Sequence, residues 1–259
     1  PGWVVPGFLL LVGAHHVPGE IDSEKAKALT EEVVIEVTEY PPFPPTMKEA
    51  GYSHGLVRYL IVLDEEGKLE DALVVEATHV DFGLAVDSLI DKWNFQPPRI
   101  DGEPIPVVFP LKIYFRSGQS VRTVIPGLDQ PMKLFRPERY RAYEIKELDR
   151  VPRAIRKISP SFPPSLAGHS FQDLEIRYSF YIDQLGNVRI PILESVNQEV
   201  DEILLVHLQE TLKKWKFESP LVNNRPVLAR VVQPFHFNGR IPGIESYELD
   251  EDKARKPAQ

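Results

Sequence analysis

Side chains capable of acid–base, nucleophilic or metal chemistry are scattered along this sequence of 259 residues rather than grouped. The seven histidines are His15, His16, His54, His79, His169, His207 and His236. No two of them stand at i, i+4 with a carboxylate between them, the spacing that binds zinc on a helix. Cysteine is absent, which excludes disulfides and thiolate metal sites. Serine-nucleophile and phosphate-loop motifs are also missing, so the sequence predicts no catalytic residue, no metal site, no cofactor and no enzyme activity.

Residues that look reactive in isolation have structural explanations. Asp64 and Asp183 each open a short Asp-x-x-Gly segment, where an aspartate hydrogen-bonds the backbone of its own turn. His207 lies near the apolar side of a predicted helix, where a half-buried packing role is expected. A basic run precedes the second half of the chain, comprising Arg150, Arg153, Arg156 and Lys157. Such runs are usually solvated linker faces, and the alternatives are a contact with anionic lipid or with another protein.

An internal repeat indicates the elements that would have to position any site. The stretch Trp93-Asn94-Phe95-Gln96-Pro97 returns 122 residues later as Trp215-Lys216-Phe217-Glu218-Ser219-Pro220. Upstream matches share an offset of 119: Phe43-Pro44-Pro45 with Phe162-Pro163-Pro164, and Tyr59 with Tyr178. Three extra residues in the second copy, between its second strand and its helix, account for the change of offset. The sequence therefore predicts a tandem duplication of one small module.

Hydrophobic periodicity gives each copy the same order of elements. The predicted strands are residues 56–63, 69–77 and 104–115 in the first copy, and residues 174–182, 187–194 and 227–237 in the second. A helix lies between the second and third strands, with Asp81 as the expected cap in the first copy and Asn197 in the second. Trp93 and Trp215 end these helices and are expected to close each helix onto its sheet. The predicted fold class is α+β: two copies of a small module with a helix packed on an antiparallel three- to four-stranded sheet.

Composition agrees with a two-domain globular protein. Hydrophobic residues make up 42% of the chain and charged residues 26%, which is ordinary for a folded protein. The 25 prolines are about twice the usual share, and proline favours linkers and edge strands. The net charge of -8, without a basic domain, argues against nucleic acid as a partner.

The first residues are predicted to be separate from the modules. They are almost wholly apolar, and Val12-Gly13-Ala14 resembles a signal-peptidase site that would leave His15 as the first mature residue. A signal-peptide remnant is the preferred interpretation, and a membrane-anchor fragment or a surface segment are the alternatives. The expected organisation is a signal remnant at 1–18, module 1 at 33–116, a linker at 117–139, module 2 at 140–238 and a flexible tail at 239–259.

The ordered set of motifs in both copies resembles the TonB C-terminal domain family. The shared order is an aromatic-Pro pair, a strand, an Asp-x-x-Gly turn, a second strand, a helix, a Trp-x-Phe motif, a hairpin and a final strand. The motif residues are Phe43, Pro44, Trp93 and Phe95 in the first copy, and Phe162, Pro163, Trp215 and Phe217 in the second. The lead-in at residues 147–152 also resembles that of exported proteins of this kind. Altogether the resemblance covers residues 33–115 and 143–237.

The resemblance implies a periplasmic module that binds a short peptide of an outer-membrane transporter and so couples to transport. In this family the peptide pairs with the module's last strand, so that main-chain hydrogen bonds provide affinity and side-chain pockets provide selectivity. An inner-membrane motor complex is an expected partner only if an anchor precedes Pro1. The residue before the aromatic-Pro pair, often Gln in the family, is Pro42 or Ser161 here. The alternative function is a periplasmic interaction or scaffold protein without energy transduction.

The two last strands are not expected to be equivalent binding edges. Proline occurs in sheets where its missing N–H would point away from the ladder. Pro104, Pro106 and Pro110 therefore assign the outward positions of the first copy to even-numbered residues. In the second copy the even-numbered positions from 228 to 232 keep their N–H groups, so docking is predicted there rather than along residues 106–110. The expected contact residues are Leu228, Arg230, Val231, Val232 and Phe235, with Val108 and Lys112 in the first copy.

Overall fold

A computed structural model gives the fold and describes residues 3–4, 10–11, 29–31, 33–118, 122–124, 140–160, 162 and 164–240. Most of the predicted signal remnant, most of the predicted linker and the tail beyond residue 240 lie outside the described residues. The described helices and strands make an α+β fold whose sheets are antiparallel except for one short parallel pair, which confirms the predicted fold class at that level.

The first half is built on one large antiparallel sheet. Its elements are β1 (Trp3–Val4), β2 (Leu10–Leu11), β3 (Leu29–Glu31), β4 (Val34–Glu36), α1 (Pro45–Glu49), β5 (His54–Leu63), β6 (Leu69–Ala77), α2 (Val80–Asp87), β7 (Asn94–Gln96), β8 (Arg99–Ile100), β9 (Glu103–Pro104), β10 (Val107–Arg116) and β11 (Arg122–Val124). The main sheet has the order β11–β10–β5–β6, and β2 also pairs with β10. Two small sheets have the orders β1–β4–β7 and β3–β8–β9.

The second half has a similar order of elements. They are β12 (Tyr140–Arg141), β13 (Tyr143–Glu144), β14 (Ala154–Arg156), β15 (Ser170–Ile182), β16 (Val188–Val196), α3 (Glu202–Lys213), β17 (Lys216–Phe217), β18 (Leu221–Val222), β19 (Arg225–Pro226) and β20 (Ala229–Arg240). The main sheet has the order β13–β20–β15–β16, and β14–β17 and β18–β19 form two short ribbons. Strand β12 instead belongs to the sheet of the first half, beside β6.

Alternating burial along the long strands explains how each sheet holds its helix. Every second residue of a strand faces the same side of the sheet, and on the helix side these residues are buried in β5 and β15. Tyr59 donates its hydroxyl hydrogen bond to the Gly83 carbonyl at 3.0 Å and to Asp87 at 2.7 Å. Tyr178 donates to the Leu205 carbonyl at 2.7 Å. Burial raises the pKa of both tyrosines, so both hydroxyls stay protonated donors that tie sheet to helix.

Both helix caps differ from the sequence prediction. Helix α2 begins after His79, whose Nδ1 accepts a hydrogen bond from the Asp81 N–H at 3.3 Å, so the predicted cap Asp81 is already helical. Helix α3 begins after Asp201, whose carboxylate accepts the backbone N–H two residues later at 3.0 Å. The predicted cap Asn197 instead bonds the backbone of β15 with its side-chain amide, at 2.8 and 2.7 Å. The loop between β16 and α3 is therefore longer than predicted.

The faces of the two sheets that point away from the helices pack against each other. The buried apolar residues that fill this contact are called the inter-sheet cluster: Leu60, Leu73, Val108, Tyr181, Ile190, Ile192 and Leu228. Arg189 of β16 reaches across to the first sheet, where its guanidinium bonds the carboxylate of Asp71 and the Ala72 carbonyl. The layers therefore run helix, sheet, sheet, helix, and the two halves share a core.

Residues 140–147, called the bridging segment, form part of both sheets. Strand β12 pairs antiparallel with β6, and the Ala142 N–H donates to the Val75 carbonyl at 2.9 Å. One residue later the Tyr143 N–H donates to the Leu228 carbonyl at 2.8 Å, and β13 pairs in parallel with the start of β20. The bridging segment ends in a 3-10 turn, Ile145–Glu147.

Candidate peptide-binding edges

The tryptophans of the repeated motif are buried between helix and sheet. Trp93 is 5% exposed and Trp215 is 3% exposed. Each indole N–H donates to a backbone carbonyl of the segment that enters its half, Glu39 at 2.9 Å and Ile158 at 2.8 Å. These side chains fix the path of the segment that enters each half, so their role is structural. The strand edges remain as the candidate binding surfaces.

The aromatic-Pro pairs sit at the start of each half. The Phe43 ring meets the phenylalanine ring of α2 edge-on, with 5.3 Å between ring centroids, and Pro44 precedes α1. The Phe162 ring meets Phe237 of β20 edge-on at 5.7 Å. Pro163 lies outside the described residues. The first pair therefore packs against the helix, whereas Phe162 packs against the last strand, close to a candidate edge.

The two Asp-x-x-Gly turns have matching hydrogen bonds. Asp64 Oδ1 accepts the N–H groups two and four residues later at 3.0 and 2.8 Å. Asp183 Oδ1 accepts the corresponding N–H groups at 2.9 and 2.8 Å. Both carboxylates are thus used to hold their own turns.

A glycine ends each of these turns where no side chain would fit. Gly67 has a φ of +81° and Gly186 a φ of +85°, the left-handed region that favours glycine. A β-carbon on Gly67 would lie 2.5 Å from the carbonyl oxygen of Phe95, and one on Gly186 would collide with the carbonyl oxygen of Phe217. The Trp-x-Phe motif therefore crosses directly over the turn in both halves.

The outer edge of β10 is largely covered by the chain itself. Strand β2 pairs with its first two residues, including Val108, and β11 pairs with residues 112–114, including Lys112. The Ser117 N–H donates to the Ser53 carbonyl on the β5 side, so odd-numbered N–H groups point inward and even-numbered positions point outward. Pro110, between the two covered stretches, has no N–H to offer.

The outer edge of β20 is open over a longer stretch. The Tyr143 N–H reaches the Leu228 carbonyl from that side, which places even-numbered backbone groups outward here too. Strand β13 pairs with Ala229 and Arg230, so the start of the predicted docking stretch is occupied rather than open. From residue 231 to residue 240, no strand in the described part of the chain pairs with this edge.

Side chains along the open part of this edge differ between its two faces. On the helix side, Val231, Phe235 and Phe237 are partly buried, and the two phenylalanine rings stack with 6.5 Å between centroids. On the other side, Val232 is 45% exposed and the His236 side chain is 69% exposed. An added strand could therefore place apolar side chains on the aromatic face and polar ones on the opposite face.

Charged groups fasten the bridging segment beside this edge. Arg141 bonds both carboxylate oxygens of Glu147, at 2.9 and 2.6 Å, and Glu147 also accepts the Glu144 N–H at 2.9 Å. The hydrogen bonds from Arg141, and then from the Glu144 backbone, lower the pKa of Glu147 to about 2. Arg230 bonds Glu194 at 2.6 Å and lies 3.9 Å from Glu144.

The basic run is engaged within the chain. Arg153 and Arg150 approach the Glu218 carboxylate at 2.8 and 3.5 Å, and the bond from Arg153 lowers the pKa of Glu218. Arg156 donates to a backbone carbonyl at the end of α3, and Lys157 lies over the motif tryptophan ring at 4.8 Å. These contacts account for the run as part of the second half's own structure.

Comparison with protein families identifies part of the chain. Residues 39–117 match the family model described as Gram-negative bacterial TonB protein C-terminal. These residues form a TonB C-terminal domain. The match runs from the carbonyl that accepts the Trp93 indole bond to just beyond β10, so it contains the turn, helix and motif described above. No curated protein and no solved structure matched the chain.

The family that residues 39–117 match has general properties. The family is a non-enzymatic one with a role in transport coupling, and TonB proteins act in the periplasm of Gram-negative bacteria. Among the residues that the structure describes, no helix has the length and apolar character needed to cross a bilayer. Within the same residues, no group of three or more acidic or histidine side chains is placed to hold a metal ion.

Sequence reasoning missed the residues that occupy the start of the β20 edge. Tyr143 and Glu144 form a two-residue strand, which is too short for hydrophobic periodicity to reveal. The available signal is the alternation of Tyr140, Ala142 and Glu144 with Arg141 and Tyr143, but all five positions are partly or fully exposed. Only the tertiary contact shows that these residues pair.

Proposed function

We propose that the chain carries two TonB C-terminal-like modules, at residues 33–116 and 140–238, that arose by duplication. Three kinds of contact support this proposal, because they recur at the sequence offsets of 119 and 122. They are the buried tyrosine that bonds the helix backbone, the tryptophan that bonds the entering segment, and the glycine turn beneath the Trp-x-Phe motif. The proposed linker at 117–139 contains β11, which pairs with β10, and β20 extends two residues into the proposed tail at 239–259.

We further propose that the protein binds a short peptide of an outer-membrane transporter as a strand added to β20. The observation that carries this proposal is the length of unpaired edge from residue 231 to residue 240, whereas β11 pairs with residues 112–114 of the β10 edge. Each added main-chain hydrogen bond contributes about 0.5–1.5 kcal/mol, and the aromatic face beside Phe235 offers selectivity for apolar side chains. The first module, whose edge is paired by β11 and interrupted by Pro110, then serves mainly to support the second.

The place of the protein in the cell is part of the proposal. The matched family and the signal-like segment at residues 1–18 support a periplasmic location. Binding of a transporter peptide couples to transport through an inner-membrane motor complex only where the chain is anchored to that membrane. The mature periplasmic chain is expected to begin at His15, which terminal sequencing of protein from a periplasmic extract would check.

Backbone amide shifts would test the binding edge. Short synthetic peptides from outer-membrane transporters are titrated into the isotope-labelled protein. The largest changes in amide chemical shift are expected in β20. Val232→Pro removes an outward N–H without touching the β15 ladder and should weaken binding about tenfold, whereas Val232→Thr keeps the N–H and should bind normally. Larger shifts at Val108 and Lys112 would assign binding to β10. Binding of other periplasmic proteins, but of no transporter peptide, would favour the scaffold alternative.

A further inference from the structure

The bridging segment and a peptide that fills the whole outward edge of β20 would need the same backbone groups. On the outward side, residues 228, 230 and 232 form a run without proline between Pro226 and Pro234, and residues 236, 238 and 240 form a second run beyond Pro234. The bridging segment already uses the first two of these positions through the Tyr143 bond to Leu228 and the pairing of Glu144 with Arg230. A peptide that stays on residues 232–240 does not reach the backbone groups of residues 228 and 230.

We propose that the bridging segment is a built-in competitor for the peptide-binding edge, and that a partner strand must displace Tyr143 and Glu144 to dock fully. This inference rests on the proposed function of β20. A peptide that pairs along residues 228–240 gains the main-chain hydrogen bonds of residues 228 and 230 in addition to those available on residues 232–240. The bridging segment, when displaced from β20, loses a two-residue ladder and the 3.9 Å contact of Glu144 with Arg230.

The pairing of the bridging segment is weak compared with the rest of its sheet. Strand β13 contacts β20 over two residues in a parallel ladder, whereas β15 pairs with β20 from Ser170 to Ile182. Parallel pairing is slightly less stable per residue than antiparallel pairing. The charged contact between the bridging segment and β20, from Glu144 to Arg230, is long at 3.9 Å and partly exposed at 52% and 34%. A competing strand therefore has to replace few contacts.

Displacement at this edge also reaches the other half of the molecule. The same bridging segment pairs with β6 through Tyr140 and Arg141, and its Ala142 N–H bonds the Val75 carbonyl. Arg141 is at once part of the β6 ladder and the partner of Glu147. Peptide binding in the second half is consequently linked to loosening of the contact with β6, in the TonB C-terminal domain.

A reversible lock tests this inference, because the chain contains no cysteine. Glu144 and Arg230 are direct partners across the β13–β20 ladder, so Glu144→Cys with Arg230→Cys can form a disulfide that holds the bridging segment on the edge. The same short transporter peptides are titrated into the oxidised and the reduced protein. Binding to the oxidised form is expected to be about tenfold weaker or more, since it lacks two or so of the edge hydrogen bonds.

A second disulfide serves as the matched control. Glu36 and Asn94 are exposed partners across the β4–β7 ladder in the first half, so Glu36→Cys with Asn94→Cys should bind peptide equally in both redox states. Equal affinity of the two states of the Glu144–Arg230 variant would overturn the competitor role and leave peptide binding by β20 intact.

Amide hydrogen exchange supplies a readout that needs no peptide. The Tyr143 N–H is expected to exchange much faster than the N–H groups of the β15–β20 ladder in the wild-type and reduced proteins, and more slowly in the oxidised one. Exchange of Tyr143 as slow as that ladder would mean that the bridging segment does not leave the edge, which would overturn the inference. If no peptide binds any form, the proposed function fails. The exchange rate of the Tyr143 N–H then shows by itself whether the bridging segment leaves the β20 edge.

Discussion

Trp93 and Trp215 each combine a buried ring with one specific hydrogen bond. We expect Trp93→Ala and Trp215→Ala each to lower the free energy of unfolding by ~3–5 kcal/mol, because each removes a large buried ring. Trp93→Phe and Trp215→Phe keep a ring but lose the N–H donor, so a smaller loss is expected for both. Urea denaturation would measure all four. A loss below ~1 kcal/mol for either alanine variant would mean that its tryptophan is not buried between helix and sheet.

Gly67 and Gly186 occupy positions that a β-carbon would block, whereas Gly102 does not. All three have positive φ, but a β-carbon on Gly102 would meet no atom within 4 Å. Gly102→Ala should therefore cost only the strain of its backbone conformation, about 1 kcal/mol. Gly67→Ala and Gly186→Ala add a collision with a backbone carbonyl and should cost about 2 kcal/mol or more. Similar losses for all three variants would mean that the Phe95 and Phe217 carbonyls do not lie close enough to Gly67 and Gly186 to exclude a β-carbon.

The bridging segment, as an element, depends on one ionised carboxylate. The pKa of Glu147 is lowered from 4.5 to about 2, so its stabilising contribution is present above pH 4.5 and is lost as the pH falls toward 2. Tyr143 N–H exchange should therefore accelerate in that interval in the wild type and not in Glu147→Gln. A titration of the Glu147 carboxylate by NMR should move back toward 4.5 in Arg141→Ala. An unchanged midpoint in that variant would exclude Arg141 as the main cause.

Elements differed in how far the sequence could predict them. The strand pairs β5–β6 and β15–β16 were predicted closely, because their side chains alternate over many residues and a turn with Asp and Gly lies between them. The helix caps were not predicted correctly. Asp81 and Asn197 have side chains that can accept a backbone N–H at a helix start, as do the nearby residues His79 and Asp201 that cap the helices. The short strands that cover β10 and start the β20 edge could not be predicted. Their pairing depends on tertiary contacts rather than on local pattern.

At the scale of the whole molecule, the two halves form one folded unit rather than two independent domains. The inter-sheet cluster buries residues of both sheets in a common core, and the bridging segment pairs with both. The sequence predicted two modules but gave no sign of this contact, because strands such as β5 carry apolar residues on both faces for a reason that only the packing shows. Destabilising one half should therefore destabilise the other.

The contact between the halves can be measured through Arg189 and Asp71. Their ion pair joins β16 to β6 and is partly exposed, at 30% and 24%, so a double-mutant cycle of Arg189→Ala and Asp71→Ala should give a coupling of about 1 kcal/mol. Because the halves share a core, Trp93→Ala should shift a single unfolding transition monitored by probes in both halves. The same change in the background of Arg189→Ala should begin to separate the two transitions. Two separate transitions in the wild type, with protease cutting only one half of Trp93→Ala, would mean that the inter-sheet cluster does not couple them.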